Sequence, residues 1–303
     1  KSSMGNNIII ESANDGEKVP KRLASLTFIF TCITHLFGGS VGREGTAVQI
    51  GGSLTSNVAD YLGFKNNDRS TIVLSGISSA FGSVFGTPFA GAFFGMEVCC
   101  VGRLSAGAVI PCFACSYLAN FVTQLLCFKH ERYAISSIPD FDARFLFVFL
   151  IAAVCLGLIG KLFALGIKYV KLAYSKIFKN YLLAAAVGAA IVSLLIFALG
   201  LNDFEGLSTW MQDTAFKGDA KWYDMPAKYL LTVLTLGAGF QGGEVTPMFD
   251  MGASFGGWFG GVCGFDPTFF AAIGFVCVFA AAINTPITAI VLGIEGFGAS
   301  AAT

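Results

Sequence analysis

Apolar positions run along this chain in long blocks, and nowhere do they alternate with polar ones at the period of two that marks a half-buried strand. Leu23 to Phe37, Ala106 to Phe128, Phe145 to Ile167 and Tyr181 to Leu201 are uninterrupted enough to be read as helices on the scale of a hydrocarbon core, which takes roughly 20 apolar residues to cross. Ile72 to Cys100, Tyr229 to Phe240 and Phe269 to Gly298 are as apolar but broken by Gly and Pro. The pattern predicts helices over 21–37, 45–61, 70–85, 88–100, 105–128, 143–175, 181–200, 226–239, 246–262, 267–283 and 286–303. The polar stretches 129–142 and 202–224 read as external connections. The second carries Trp210 and Trp222, as an interfacial loop or shallow helix would.

Composition narrows this to a membrane protein. Of the 303 residues 55% are hydrophobic and only 13% charged, and a water-soluble fold has no interior for that much apolar surface. The 37 glycines are spread through the apolar blocks and not gathered in linkers. There they permit close helix approach and broken helices at membrane depth, the construction of a transporter. Net charge is zero and no Lys/Arg run exceeds two residues, which excludes a nucleic-acid partner. The nine cysteines lie in or beside apolar segments and read as inert thiols. Cys112 and Cys115 form a CxxC with no second pair or histidine cluster, so no metal site is expected. The first twenty residues are polar, the chain opens at Lys1, and the last apolar block is still running at Thr303. The expectation is a piece truncated at both ends.

An internal repeat organises the chain. Gly42-Arg43-Glu44-Gly45-Thr46 recurs 200 positions later as Gly242-Gly243-Glu244-Val245-Thr246. Phe85-Gly86-Thr87-Pro88, with Gly95-Met96-Glu97, recurs 198 positions later as Ile283-Asn284-Thr285-Pro286, with Gly293-Ile294-Glu295. Two matches in the same order at nearly the same spacing imply two related halves, 21–128 belonging to the first and 143–303 to the second. Transporters of that kind bind substrate near the midplane, where the broken helices of both halves meet. The repeat alone leaves open whether the halves are parallel or inverted.

Each repeat opens a helix with glycine, glutamate and threonine in apolar surroundings. A carboxylate is costly at that depth unless it lines a wet path or takes part in the transport cycle. A helix N-terminus offers unpaired N–H groups and a positive dipole end, so two of them converging make an anion site without a full positive charge. Glu44 sits where that anion would bind. When charged its carboxylate competes for the site, and when protonated it withdraws, which couples anion movement to proton movement. The plainer reading pairs Glu44 with Arg43 as a structural ion pair. His35, alone on an apolar helix, reads first as a packed residue and second as a proton carrier. Asn284 reads as a pore-side hydrogen-bonding group or as an N-cap ahead of Thr285-Pro286. Glu97 and Glu295 close their helices, facing water or a polar cap.

Gly42-Arg43-Glu44-Gly45-Thr46-Ala47-Val48-Gln49 resembles the signature of the CLC chloride channel and transporter family, whose glutamate at this position is the external gate. Thr87-Pro88-Phe89-Ala90-Gly91-Ala92 with Glu97, the Gly-Gly-Glu-Val-Thr-Pro at 242–247, and Asn284-Thr285-Pro286 resemble further family segments in order. The likeness runs from about Met4 to Gly298. Three departures from the chloride-type pattern resemble the fluoride/proton antiporter clade. Met4 stands where an anion-coordinating serine would be, Thr46 stands where chloride types have proline, and Glu244-Val245-Thr246-Pro247 replaces Ile-Phe-x-Pro. Glu97 is followed by Val98, so the second acid that serves chloride/proton exchangers as an internal proton relay is missing.

The resemblance implies an all-α, polytopic membrane fold spanning residues 1–303 as a single incomplete domain, with broken helices and two repeats taken as inverted. It implies Glu44 and Glu244 in gating and proton transfer, and Met4, Gly5, Gly45, Val245 and Thr246 around the anion, with Arg43 and Asn284 as further candidates. The expected function is fluoride export coupled to proton import, by a homodimer in the cell membrane, without enzyme activity and without a cofactor beyond the transported fluoride or chloride and protons. Two alternatives stay open: a chloride channel or chloride/proton exchanger of the same family, and a nonconducting truncated or regulatory membrane protein. Basic residues are too few and too evenly spread to orient the chain by the positive-inside rule.

Overall fold

The computed structural model describes residues 7–15, 18–99 and 104–298. Thirteen α-helices follow one another among the described residues: α1 (Asn7–Asp15), α2 (Leu23–Leu36), α3 (Glu44–Tyr61), α4 (Asn66–Phe85), α5 (Pro88–Glu97), α6 (Val109–Leu125), α7 (Ala143–Ile177), α8 (Tyr181–Leu199), α9 (Trp210–Lys217), α10 (Asp224–Gly237), α11 (Val245–Val262), α12 (Pro267–Ile283) and α13 (Pro286–Phe297). No strand occurs among them, only an isolated antiparallel bridge between Gly42 and Gly243. Among the described residues three helical stretches are long and apolar enough to cross a bilayer: Ala106–Leu125, Ala143–Ile177 and Tyr181–Leu199. At 1.5 Å per residue the 35-residue α7 is about 50 Å long, more than a hydrocarbon core needs. Leu36, Phe37, Ile110 and Phe197 are each about four-fifths exposed, a surface suited to lipid and not to water.

Every helix the pattern predicts is present, most within a residue or two of the expected limits. The ends have local causes. Asp142 caps α7 by accepting from Phe145 N at 2.6 Å, and Asn180 caps α8 by accepting from Leu182 N at 2.9 Å. Gly200 stops α8 in the left-handed conformation. The predicted extensions of α5 to residue 100 and of α13 to residue 303 run into 100–103 and 299–303, outside the described residues. Two helices correct the sequence reading. The polar lead contains α1, and the connection 202–224 contains α9, whose Met211, Gln212 and Ala215 are buried. That connection is therefore partly interior and not wholly an external loop.

The chain forms two compact units. One comprises residues up to 30, 44–132 and 284–296; the other comprises 31–43, 133–283 and from 297 onward. In the first unit α3 and α4 form a tight hairpin. A Cβ on Gly51 would lie 2.6 Å from the Gly76 carbonyl oxygen, so only glycine allows the crossing. Arg69 on α4 ties α1 to this hairpin. Its guanidinium donates to Ser12 O at 2.5 Å, to Ser12 Oγ at 3.1 Å, to Ser56 Oγ at 2.8 Å and to Asp60 Oδ1 at 2.8 Å. In the second unit α11 and α12 make the equivalent hairpin. There a Cβ on Gly252 would collide with the carbonyl of Gly274. Gly274 lies 198 positions after Gly76, while Gly252 lies 201 positions after Gly51, so both hairpins cross on a pair of glycines but not residue for residue.

The orientation of the repeat is settled inside the first unit. The Glu97 carboxylate at the end of α5 accepts from Ile287 N at 3.0 Å, Thr288 N at 2.7 Å and Thr288 Oγ1 at 2.6 Å, in the first turn of α13. The Glu295 carboxylate near the end of α13 accepts from Phe89 N at 3.0 Å and Ala90 N at 2.7 Å, in the first turn of α5. Each helix thus closes the other's N-terminus, which only an antiparallel pair can do. Because α5 and α13 are repeat equivalents, the halves are inverted. Glu97 and Glu295 accordingly serve as caps on each other's helices, Glu97 buried and Glu295 half-buried.

Candidate functional site

The two motifs that carry chemistry each deliver a helix N-terminus. In the first unit α3 begins at Glu44, which is 7% exposed and lies in the positive first turn of its own helix. Gly45 and Thr46 follow it into the buried face, with Gln49 one turn on. Arg43 is exposed. In the second unit Glu244 occupies the N-cap of α11 with no side-chain cap hydrogen bond, and Val245 and Thr246 open the helix at 2% and 3% exposure.

The sequence of α11 limits what its N-terminus offers. The first N–H groups of a helix have no intrahelical acceptor. Pro247 removes one donor altogether, and Met248 N is already bonded to Glu244 O at 3.3 Å. Val245 and Thr246 therefore present the two amides that helix geometry leaves over. Beside them the Thr246 hydroxyl is buried and has no hydrogen-bond partner. A buried hydroxyl in that state forgoes on the order of 1–3 kcal/mol, which a polar occupant of the helix mouth would restore. An anion meets that description, since it accepts from hydroxyl and amide alike.

The glycine-led approaches to both helices meet in the second unit. Gly42 N donates to Gly243 O at 2.7 Å and Gly243 N donates to Gly42 O at 2.6 Å. The extended segment 38–43 is pinned further by Gly206 N donating to Gly39 O at 3.2 Å and by the Ser40 and Thr232 hydroxyls, 3.2 Å apart. A Cβ on Gly242 would stand 2.5 Å from the Val41 side chain, so this junction too depends on glycine. Within the second unit the Lys171 ammonium on α7 acts electrostatically on Glu244. The sequence reading missed Lys171, because it is one of four lysines on α7, with Lys161, Lys168 and Lys176, and nothing in the sequence marks which of them has a charged partner.

Of the remaining predicted site residues, Met4 and Gly5 lie outside the described residues. Asn284 is exposed and left-handed, with φ of 63°. Gly86, its repeat equivalent, adopts the same conformation with φ of 67°. Asparagine is among the few side chains that tolerate this region. The donors of the following helix are taken by Glu97, so Asn284 is a turn residue ahead of α13 and not its N-cap. His35 directs Nδ1 to Thr31 O at 2.8 Å.

Inverted repeats and glycine-crossed hairpins in an apolar shell define a polytopic membrane protein built like a secondary transporter or channel. The whole chain, residues 1–303, matches the family model described as voltage gated chloride channel, and the protein belongs to that family. A "Chloride/fluoride channel protein" of Pseudomonas syringae pv. tomato is 37% identical over 301 residues, 97% of this chain and 67% of that protein. The "H(+)/Cl(-) exchange transporter ClcA" of Vibrio cholerae is 27% identical over 307 residues, 94% of this chain and 65% of that protein. The chain thus spans about two thirds of the length of the curated relatives it matches. Among solved structures, a CLC-type fluoride/proton antiporter superposes with a TM-score of 0.93 at 32% identity, covering 98% of this chain and 75% of that one. A slow cyanobacterial Cl-/H+ antiporter shares the fold, with a TM-score of 0.79 at 19% identity over 97% of this chain and 72% of that one. The protein is a multi-pass membrane protein of this family.

Proposed function

We propose that this chain is the membrane domain of a fluoride exporter that exchanges fluoride for protons, acting as a homodimer and needing no cofactor besides the transported ions. The observation that carries the reading is the mouth of α11, where two amides and the buried, unpartnered Thr246 hydroxyl face a site suited to a small, strongly hydrated anion. Fluoride surrenders its hydration shell only to strong donors, and a hydroxyl beside two amides supplies them without a full positive charge that would trap the ion. By the family likeness Met4, Gly5 and Gly45 are further candidates for the anion path.

In this reading Glu44 is the moving gate and Glu244 the second carboxylate on the proton path. Protonation of Glu44 discharges it and frees the place it competes for, so each exchange of gate for anion carries a proton. The likeness to a CLC-type fluoride/proton antiporter at 32% identity supports fluoride as the cargo. Glu97 supports it as well. Its carboxylate is committed to three donors on α13, and Val98 follows it, so the end of α5 holds no spare acid for the relay of a chloride/proton exchanger.

Chloride/proton exchange is the second reading, supported by the 27% identity to exchangers of that name. The test is the full-length protein in liposomes with fluoride and chloride electrodes and a pH probe. Fluoride efflux tied to proton uptake is expected. Chloride moving as readily as fluoride would overturn the fluoride assignment, and silence toward both would overturn transport.

A further inference from the structure

The fully buried cation Lys228 has no part in the exchange cycle described above. It lies in the first half of α10, and its side chain and that of Asp250 on α11 are both 0% exposed, with Nζ 3.9 Å from Oδ2. Asp250 Oδ1 accepts from Gln212 Nε2 of α9 at 2.6 Å. Lys228 Nζ also donates to Gly206 O at 2.8 Å, to Ser208 Oγ at 3.0 Å and to Leu207 O at 3.4 Å. Two charges this far from water persist only with a full set of partners, and in a membrane protein such a pair is a candidate for function before it is a candidate for stability.

What the cation grips is informative. Asp250 follows Thr246 by four residues, so both lie on one face of α11. On its other side Lys228 holds the carbonyl of Gly206, and the N–H of that same residue donates to Gly39 O at 3.2 Å. Gly39 belongs to the extended segment that ends in the Gly42–Gly243 bridge. A Cβ on Gly38 would stand 2.8 Å from Glu205 Oε2, so the loop and the segment are in close contact as well as bonded. One buried ammonium therefore connects the helix whose N-terminus offers the anion donors to the segment that leads into Glu44.

We propose that Lys228 is a positioning residue for anion binding. Through Asp250 it fixes α11, and through Gly206 it fixes segment 38–43, so that the Gly42–Gly243 bridge holds its register at the mouth of α11. The proposal rests on the transport reading above, because the register of that bridge matters to function only if α11 binds the anion. Gln212 completes the device by holding the other oxygen of Asp250.

The test uses the full-length protein in liposomes and reads the apparent KM for fluoride, the maximal rate and the proton coupling. K228M combined with D250L removes both charges at once, so neither is stranded, and it is expected to elute and melt like the wild type. Its apparent KM should rise on the order of tenfold, the cost of a displaced donor set, with a smaller change in maximal rate. K228R, which keeps the cation and its donors, should recover most of the affinity. A folded double variant with wild-type KM and wild-type coupling overturns the proposal. So does a loss of rate that vanishes when flux is normalised to folded protein. Should the double variant not assemble, Q212A takes away only the donor to Asp250, and an unchanged KM there is equally fatal. A wild type that carries chloride in place of fluoride refutes the cargo alone, and the KM comparison is then made with chloride. A wild type silent toward both halides removes the anion site and this proposal with it.

Discussion

Glu44 and Glu244 occupy equivalent places in the repeat yet face different surroundings. Glu44 is the first residue of α3 and is buried at the positive end of its helix. Glu244 stands one residue ahead of α11, is half buried, and has the Lys171 charge acting on it. Under the proposed exchange, Glu44→Gln keeps the side chain's shape and removes its ionisable group. Fluoride flux without accompanying proton uptake is expected in that variant, read as a fluoride electrode trace with a flat pH record, and preserved coupling would exclude Glu44 as the proton carrier. At this scale the sequence was informative where a charged residue interrupts apolar surroundings twice at the same offset. It named Thr246 through the family resemblance, but not that its hydroxyl lacks a partner, which is a property of what surrounds it and not of the motif. It was silent on Lys228 and Asp250, two residues 22 positions apart that only packing makes a pair.

Long helices were legible because period and length both point one way. Asp142, Asn180 and Gly200 are caps that a sequence shows directly. The short helices were harder. Nine-residue α1 and eight-residue α9 are below the length at which a helix holds by itself, and each exists because of what it touches. Arg69 and Ser56 hold Ser12 of α1, while Met211 of α9 is packed with Val192, Ile196, Phe204 and Leu231. The α5–α13 pair shows the same dependence on tertiary contact. Both helices begin with proline, which sets the first turn but donates nothing, and each draws its cap from a glutamate about 200 residues away. Glu97→Ala should leave Ile287 N, Thr288 N and the Thr288 hydroxyl without their acceptor. A loss of about 1–3 kcal/mol follows. It should appear as a fall of several degrees in the thermal midpoint of the detergent-purified protein, and Glu295→Ala should show a smaller fall because that carboxylate accepts two bonds and not three. Equal midpoints for wild type and Glu97→Ala would show that water replaces the cap.

The molecule as a whole does not divide where its sequence repeat does. The second half lends residues 284–296 to the first compact unit, and the first half lends 31–43 to the second. A chain cut in the polar connection near residue 142 should therefore yield two pieces that are each incomplete. The N-terminal piece expressed alone is expected to aggregate or be degraded, because the first turn of α5 would lose Glu295 and Glu97 would keep a buried carboxylate with no donors. Co-expression of both pieces should restore a co-purifying, protease-resistant complex. A monodisperse N-terminal piece on its own would contradict the interleaving. By itself the sequence determined the class, the long helices, the twofold repeat and the carboxylates worth suspecting. It could do so because burial in a bilayer leaves only apolar helices as solutions and makes a charge repeated at a fixed offset among apolar residues conspicuous. Tertiary structure alone decided that the halves are inverted, that Glu97 and Glu295 are mutual caps, and that Lys228 ties α11 to the segment before Glu44. Those facts depend on contacts between residues far apart in the chain, and hydropathy carries no information about which distant partner a polar group will find.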